Sequence, residues 1–136
     1  MIKAALFDLD GVVFDTESQY SVFWGMIGKE YHPEISDFAQ IIKGQTLVQI
    51  YDKYFSDDKI FASKVNFCSV KDEQAKITAR LDEFEQNMSY NYIAGFEDFV
   101  KDLRNNGIKC AVVTSSNIPK MLNVYQQRPE FKDYFD

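Results

Sequence analysis

Two short segments of the chain are largely apolar. They lack the alternation of apolar and polar residues that is typical of a half-exposed strand. They are residues 2–9 and residues 108–113, and a polar turn follows each of them. Nearly continuous apolar runs of this length predict strands that are buried on both faces, as in a parallel sheet. Phe96, Val100 and Leu103 recur at helical spacing before the second run, and a further helix is predicted over residues 118–127. The alternation of strands and helices predicts an α/β fold with a parallel sheet.

The region between the first strand and the helix at Phe96 has helical periodicity throughout. One predicted helix ends at Gly28, a short one ends near Gly44, and Thr46 caps a third. A longer helix over residues 70–88 has an apolar stripe and a charged face that we expect to be solvated. The sequence therefore predicts a core made of residues 1–16 and 88–136, with a helical module of residues 17–87 inserted into it.

Composition and charge limit the classes of protein to which this chain can belong. Of the 136 residues 46% are hydrophobic and 15% aromatic, which is typical of a globular chain. A formal net charge of −6 argues against non-specific binding to nucleic acid. We find no apolar run long enough to span a membrane and no leader before the first strand, so a cytoplasmic protein is expected. The single histidine, His32, precedes Pro33 and is interpreted as a solvated turn residue rather than a catalytic base.

Two carboxylates end the first predicted strand. Asp8 and Asp10 stand at alternate positions, and Gly11 follows at once. Alternate residues of a strand point to the same side, so these like charges should share one small space. A turn would explain Asp10-Gly11 but not a second carboxylate at the end of an apolar strand. A bound cation, a shared proton or a reaction that uses both groups would explain the pair, and a carboxylate can act as a nucleophile toward phosphorus.

The second predicted strand ends in hydroxyl side chains. Thr114 and Ser115 follow it directly, and Asn117 is a good N-cap for the next helix. Ligands of open α/β sheets bind beyond the carboxyl ends of the strands, and a helix N-terminus favours anions. Helix capping alone would explain these residues equally well. Their place in the predicted sheet indicates a phosphate site that also includes Asp8 and Asp10.

The run of residues 7–16 resembles the first motif of the haloacid dehalogenase superfamily, D-x-D-G-x-x-x-D-[ST]. Thr114 resembles its second motif, and Lys43-Gly44 resembles a loop of the subgroup with an α-helical cap, which includes beta-phosphoglucomutase and small-molecule phosphatases. The resemblance implies a Rossmann-like parallel sheet core with residues 17–87 as the inserted cap. The first motif is met at each fixed position: Asp8, Asp10, Gly11, Asp15 and Thr16.

The resemblance also implies a mechanism. Asp8 would be the nucleophile that forms an aspartyl-phosphate, and Asp10 the general acid and base. Mg²⁺ would bind at Asp8 and Asp10, the latter through its backbone carbonyl, and a small-molecule phosphate ester would be the substrate. The remaining candidates are Thr114, Ser115 and Gly11 for phosphate binding, Asp15 and Thr16 at the hinge into the cap, and Lys43 as a weak contact on the cap side.

The resemblance is incomplete toward the end of the chain. The superfamily uses a later lysine and a later acidic pair, and we find no candidate for either within residues 118–136, where Lys120 and Lys132 fall on or near predicted helices. We therefore expect this chain to be the front part of a longer protein. Three functions stay open: a phosphatase, a beta-phosphoglucomutase-type isomerase, and an inactive fragment or binding module. Tyr20 stands near the position of the isomerase's cap histidine, and no arginine follows Lys43-Gly44, which favours the phosphatase.

Overall fold

The computed structural model describes all residues, 1–136, and the chain forms two compact units. The first unit contains Met1–Ser18 and Gln86–Asp136, and the second contains Gln19–Glu85. The assignment of residues 17–87 as a functional cap stays a prediction. In chain order the elements are β1 (Ala4–Asp8), α1 (Glu17–Tyr31), α2 (Phe38–Ile41), α3 (Leu47–Tyr54), a 3-10 helix (Asp58–Phe61), α4 (Val70–Gln86), α5 (Phe96–Asn105), β2 (Lys109–Val113), α6 (Ile118–Gln127) and a second 3-10 helix (Pro129–Tyr134).

The sheet of the first unit has two parallel strands. β1 pairs with β2 in a register that runs from Ala4 opposite Lys109 to Asp8 opposite Val113. Helix α5 precedes β2 and ends where Asn106 and Gly107 turn the chain, with Gly107 at a φ of +76°. The α/β class and the parallel sheet are thus confirmed. The register brings the residue after Val113 to the same edge of the sheet as Asp8.

The prediction that both strands are buried on both faces is wrong. Phe7 and Cys110 are buried, whereas Leu6 is 71% exposed and Val113 is 59% exposed. The covered face packs on aromatic rings, since Phe7 lies edge-on to Phe96 with their centroids 5.6 Å apart. Burial alternates because only one face of this two-stranded sheet is covered by residues of this chain. The first strand also begins two residues later and ends one residue earlier than predicted, at Ala4 and Asp8.

An aromatic cluster supports the loop that follows β1. Phe14 is fully buried and stacks on Tyr92 with a centroid distance of 5.0 Å. Backbone bonds join the same loop to the segment before α5: Asp15 donates to the Asn91 carbonyl at 2.8 Å, and Ile93 donates to the Val13 carbonyl at 2.9 Å. Burial and the nearby Glu130 carboxylate raise the pKa of the Tyr92 hydroxyl well above its ordinary value, so Tyr92 is a neutral donor to Glu130.

The second unit is a helical module with an aromatic core. Thr46 caps α3, as predicted, and the structure adds a reciprocal capping box between Thr46 and Gln49. The predicted helix stop at Gly28 is wrong, because α1 continues to Tyr31. Gly28 instead allows close packing, since a Cβ there would lie 2.6 Å from the Cβ of Phe38. None of the helices combines the length and the apolar composition that a membrane crossing requires.

Two polar groups of the second unit are buried, against expectation. His32 is 8% exposed because both ring nitrogens have acceptors: Nδ1 lies 2.9 Å from Glu34 Oε1, and Nε2 lies 2.5 Å from the Tyr54 carbonyl. Glu73, on the face of α4 predicted to be solvated, is 2% exposed and accepts from Lys76 Nζ at 3.0 Å. Each of these side chains tolerates burial because it is hydrogen-bonded.

Candidate functional site

The two carboxylates lie at the carboxyl end of β1. Asp8 is its last residue, exposed, and its Oδ1 accepts from the backbone N–H of Leu9 at 2.8 Å. Leu9 is fully buried, whereas Asp10 is half-buried. The side chains of these three residues therefore point outward, inward and outward in turn, as expected for strand backbone.

A tight turn follows Asp10 and depends on glycine. Gly11 has a φ of +77°, and its N–H donates to the Phe14 carbonyl at 2.8 Å. The Leu9 carbonyl accepts at 3.1 Å from the N–H groups of both Val13 and Phe14. Residues with a Cβ rarely adopt this φ, so glycine is required by the backbone of the turn. Gly11 is thus placed directly beside Asp10, and its predicted contact with phosphate stays a prediction.

The Asp10 carboxylate is held by two side chains. The Thr16 hydroxyl donates to Asp10 Oδ1 at 2.7 Å. Lys120 Nζ lies 2.9 Å from Asp10 Oδ1 and 2.8 Å from Oδ2. Thr16 is fully buried and Lys120 is only 5% exposed. Asp10 is therefore part of a compact, charge-assisted network.

Lys120 is the site residue that sequence reasoning missed. It is set aside in the sequence analysis as a candidate for the later lysine of the superfamily because it falls on a predicted helix, and its contact with Asp10 is not foreseen there. Lys120 lies in the first turn of α6, and its N–H donates to the N-cap side chain of Asn117 at 2.9 Å. A helix that follows β2 after a connection of only four residues, 114–117, brings its first turn to the same edge of the sheet as Asp10. That short connection is the sequence signal that could have identified Lys120.

The hydroxyl residues after β2 form a local turn. Thr114 Oγ1 donates to Ser116 Oγ at 2.9 Å and accepts from the Ser116 N–H at 3.1 Å. Ser115 is exposed at the tip of this turn. Thr114 directly follows Val113, which pairs with Asp8, so both strand ends present polar groups at one edge of the sheet. A role of Thr114 and Ser115 in phosphate binding stays a prediction.

The other candidates of the sequence analysis lie in different settings. Asp15 is exposed, and its backbone N–H is bonded to the Asn91 carbonyl. Thr16 contacts Asp10 in addition to standing before α1. Lys43 is exposed in the turn after α2, within the second unit. Tyr20, which stands near the position of the isomerase's cap histidine, also belongs to that unit, where its hydroxyl donates to Glu85 at 2.9 Å.

The donor atoms at the end of β1 are of the kind that Mg²⁺ prefers. No cluster of three or more acidic, histidine or cysteine side chains able to hold a metal is present. The Asp8 carboxylate and the backbone carbonyl of Asp10 would supply two oxygen ligands, while the Asp10 side chain is occupied by Lys120. Mg²⁺ is commonly held by one or two carboxylates together with waters and substrate phosphate, so this small set fits the ion.

Comparisons with solved structures show the same fold. A family IA, variant 3 hydrolase of the haloacid dehalogenase group from Entamoeba histolytica is 17% identical, with 99% of this chain and 58% of that chain covered, at a TM-score of 0.67. A candidate beta-phosphoglucomutase from Bacteroides vulgatus is 21% identical, with 99% and 52% covered, at 0.65. CbbY from Rhodobacter sphaeroides, in complex with phosphate, is 17% identical, with 93% and 57% covered, at 0.59.

This chain spans between 52% and 58% of the length of those three proteins. No curated protein matches it. The sequence does match the family of haloacid dehalogenase-like hydrolases from residue 2 to residue 136. Together with the parallel sheet and the acidic strand end, this match shows that the chain belongs to the haloacid dehalogenase-like hydrolases.

Proposed function

We propose that the protein is a phosphatase that hydrolyses a small phosphate monoester through a phosphorylated Asp8. The observation that carries the proposal is the pair of carboxylates at the end of β1, with Asp8 opposite Val113 and the hydroxyl turn of Thr114 following directly. Asp8 is exposed and can approach a substrate, whereas Asp10 is held beside it by Thr16 and Lys120. An exposed nucleophile and a fixed neighbouring carboxyl group suit a two-step transfer.

In the first step, an Asp8 oxygen attacks phosphorus and the bond from phosphorus to the ester oxygen breaks. Asp10, in its protonated form, gives its proton to that leaving oxygen, so that an alcohol departs. In the second step, water attacks the phosphorylated Asp8 and loses a proton to Asp10. Inorganic phosphate leaves, Asp8 returns to a carboxylate, and Asp10 is again protonated.

Mg²⁺ bound at Asp8 and the Asp10 carbonyl would supply charge neutralisation between the anionic nucleophile and the anionic ester. The N-terminus of α6 adds a partial positive charge at the same edge of the sheet. The turn of Thr114 and Ser115 would donate hydrogen bonds to the phosphoryl oxygens without adding charge. These groups together favour a dianionic substrate.

A beta-phosphoglucomutase-type isomerase is the second candidate. It is favoured by the similarity in fold to the candidate beta-phosphoglucomutase from Bacteroides vulgatus. The phosphatase stays preferred because Tyr20 stands near the place of a cap histidine and is bonded to Glu85. Assays of sugar phosphates with and without a bisphosphate activator separate the two, since an isomerase releases little inorganic phosphate.

The proposal is tested with the Asp8→Asn variant of the full-length protein. We expect the hydrolysis of p-nitrophenyl phosphate in the presence of Mg²⁺ to fall roughly 10³-fold or more, because the amide cannot replace the nucleophile. Asp102→Asn, on the exposed side of α5, is the matched control and should retain full activity. Activity that survives Asp8→Asn would exclude Asp8 as the nucleophile.

A further inference from the structure

Lys120 forms an ion pair with Asp10, and neither step of the proposed reaction uses the Lys120 ammonium. Lys120 and Asp10 are 110 residues apart in sequence, and the ammonium reaches both oxygens of the carboxylate. The Lys120 side chain is 4% exposed, and that of Asp10 is 32% exposed. A buried ammonium is costly to desolvate unless it is paired, so Lys120 requires a carboxylate partner at this place.

We propose that Lys120 is a positioning residue that, together with Thr16, fixes the carboxyl group of Asp10 in one orientation for proton transfer. The proposal rests on the proposed function, in which Asp10 exchanges a proton with the ester oxygen and with water. It assigns no contact between Lys120 and the substrate. It also gives Thr16 a function beyond the start of α1.

The hydrogen bonds distinguish the two carboxyl oxygens. Oδ1 accepts from both the Thr16 hydroxyl and Lys120, at 2.7 and 2.9 Å, whereas Oδ2 accepts from Lys120 at 2.8 Å. Oδ2 therefore keeps the larger free acceptor capacity of the two oxygens, and a carboxyl group fixed by these donors presents it in one direction.

Lys120 can fix Asp10 only because α6 itself is held in place. At the start of α6, Asn117 caps the helix by accepting from the Lys120 N–H. At its end, Gln127 Nε2 donates to the Met88 carbonyl at 2.7 Å, and Arg128 Nε donates to the Tyr90 carbonyl at 2.8 Å. A lysine on a helix anchored at both ends presents its ammonium at a constant position.

The test compares two substrates that differ in their need for a proton. p-Nitrophenyl phosphate has a leaving group that departs readily as an anion, whereas the leaving group of phenyl phosphate depends more on general acid catalysis. In the full-length protein we expect Lys120→Met to lower kcat for phenyl phosphate about 10²-fold and kcat for p-nitrophenyl phosphate less than about 10-fold. Lys120→Arg should restore much of the loss, because a guanidinium also reaches both carboxylate oxygens.

Two further variants serve as controls for folding and for charge. Lys109→Met removes an exposed lysine at the opposite end of β2 and should leave both rates unchanged. Thr16→Val keeps the buried ion pair but removes the second donor to Oδ1, and it should reproduce the selective loss on phenyl phosphate if Lys120→Met does not fold. A crystal structure of Lys120→Met or Thr16→Val should show the Asp10 carboxyl group rotated from its present orientation.

Equal losses on the two substrates with a raised KM would overturn the proposal, since they would indicate that Lys120 binds the phosphoryl group. Unchanged rates in Lys120→Met and Thr16→Val would overturn it as well, and so would an unchanged Asp10 orientation. Failure of the proposed function has a different signature. In that case the unmodified protein hydrolyses neither ester, or Asp8→Asn retains the activity.

Discussion

Single residues set the shape of the loop that carries Asp10. Gly11 adopts a φ of +77°, and a Cβ at this position would lie 2.6 Å from Glu17 Oε1. The Glu17 carboxylate is the end of a flexible side chain and can move aside. The backbone conformation cannot be relieved in this way, so it dominates the cost of any substitution.

We therefore predict that Gly11→Ala lowers the free energy of unfolding by about 1–2 kcal/mol and also lowers activity, since the turn positions Asp10. Urea denaturation measures the first effect, and hydrolysis of p-nitrophenyl phosphate measures the second. A variant as stable and as active as the unmodified protein would show that the turn tolerates a side chain.

The protonation of a single carboxylate, Glu30, is expected to make the stability of the folded protein depend on pH. Burial would raise the pKa of Glu30, but hydrogen bonds from Lys64 and Arg80 outweigh it and hold the pKa below its ordinary value. A carboxyl group with a lowered pKa in the folded state stabilises the fold above its ordinary pKa, and this stabilisation is lost as the pH falls through the lowered value.

Glu30→Gln is thus predicted to destabilise the protein near pH 7 and to have a smaller effect near pH 3, below the ordinary pKa of glutamate, where part of this stabilisation has been lost. Denaturant midpoints at the two pH values measure the difference. Asp52→Asn, an exposed carboxylate on α3, is the control and should change neither midpoint by much. Equal destabilisation by Glu30→Gln at both pH values would contradict the charged network.

At the scale of elements, α1 contains two glycines in opposite settings. No atom lies within 4 Å of a Cβ placed at Gly25, whereas a Cβ at Gly28 would lie 2.6 Å from the Cβ of Phe38. The Phe38 Cβ is fixed to its backbone, so α1 and the start of α2 would have to separate. Gly28 is a packing residue, which the sequence pattern alone could not distinguish from a helix stop.

Gly25→Ala is accordingly predicted to stabilise the protein by about 0.5–1 kcal/mol, because alanine favours helix and meets no obstacle. Gly28→Ala is predicted to destabilise it by about 1–3 kcal/mol through overpacking. Thermal unfolding of the two variants provides an internal comparison within one helix. The same sign for both would refute the proposed contact between Gly28 and Phe38.

At the scale of the whole molecule, the sequence predicts what depends on local pattern. The order of strands and helices, the turn at Gly107, the cap at Thr46 and the acidic end of β1 are all readable from neighbouring residues. The exposure of Leu6 could not be predicted from neighbouring residues, because it depends on how many strands and layers cover the sheet. Lys120 was missed for a related reason, since its partner Asp10 is 110 residues away in the chain.

The central claim is that Asp8 becomes phosphorylated during turnover, and trapping the covalent intermediate tests it most directly. The full-length protein is mixed with p-nitrophenyl phosphate and Mg²⁺, quenched in acid within one turnover, digested and examined by mass spectrometry. We predict a phosphoryl group on Asp8, and none on the corresponding peptide of Asp8→Asn. Hydrolysis with no phosphoryl group on Asp8, or with the group on another residue, would contradict the account.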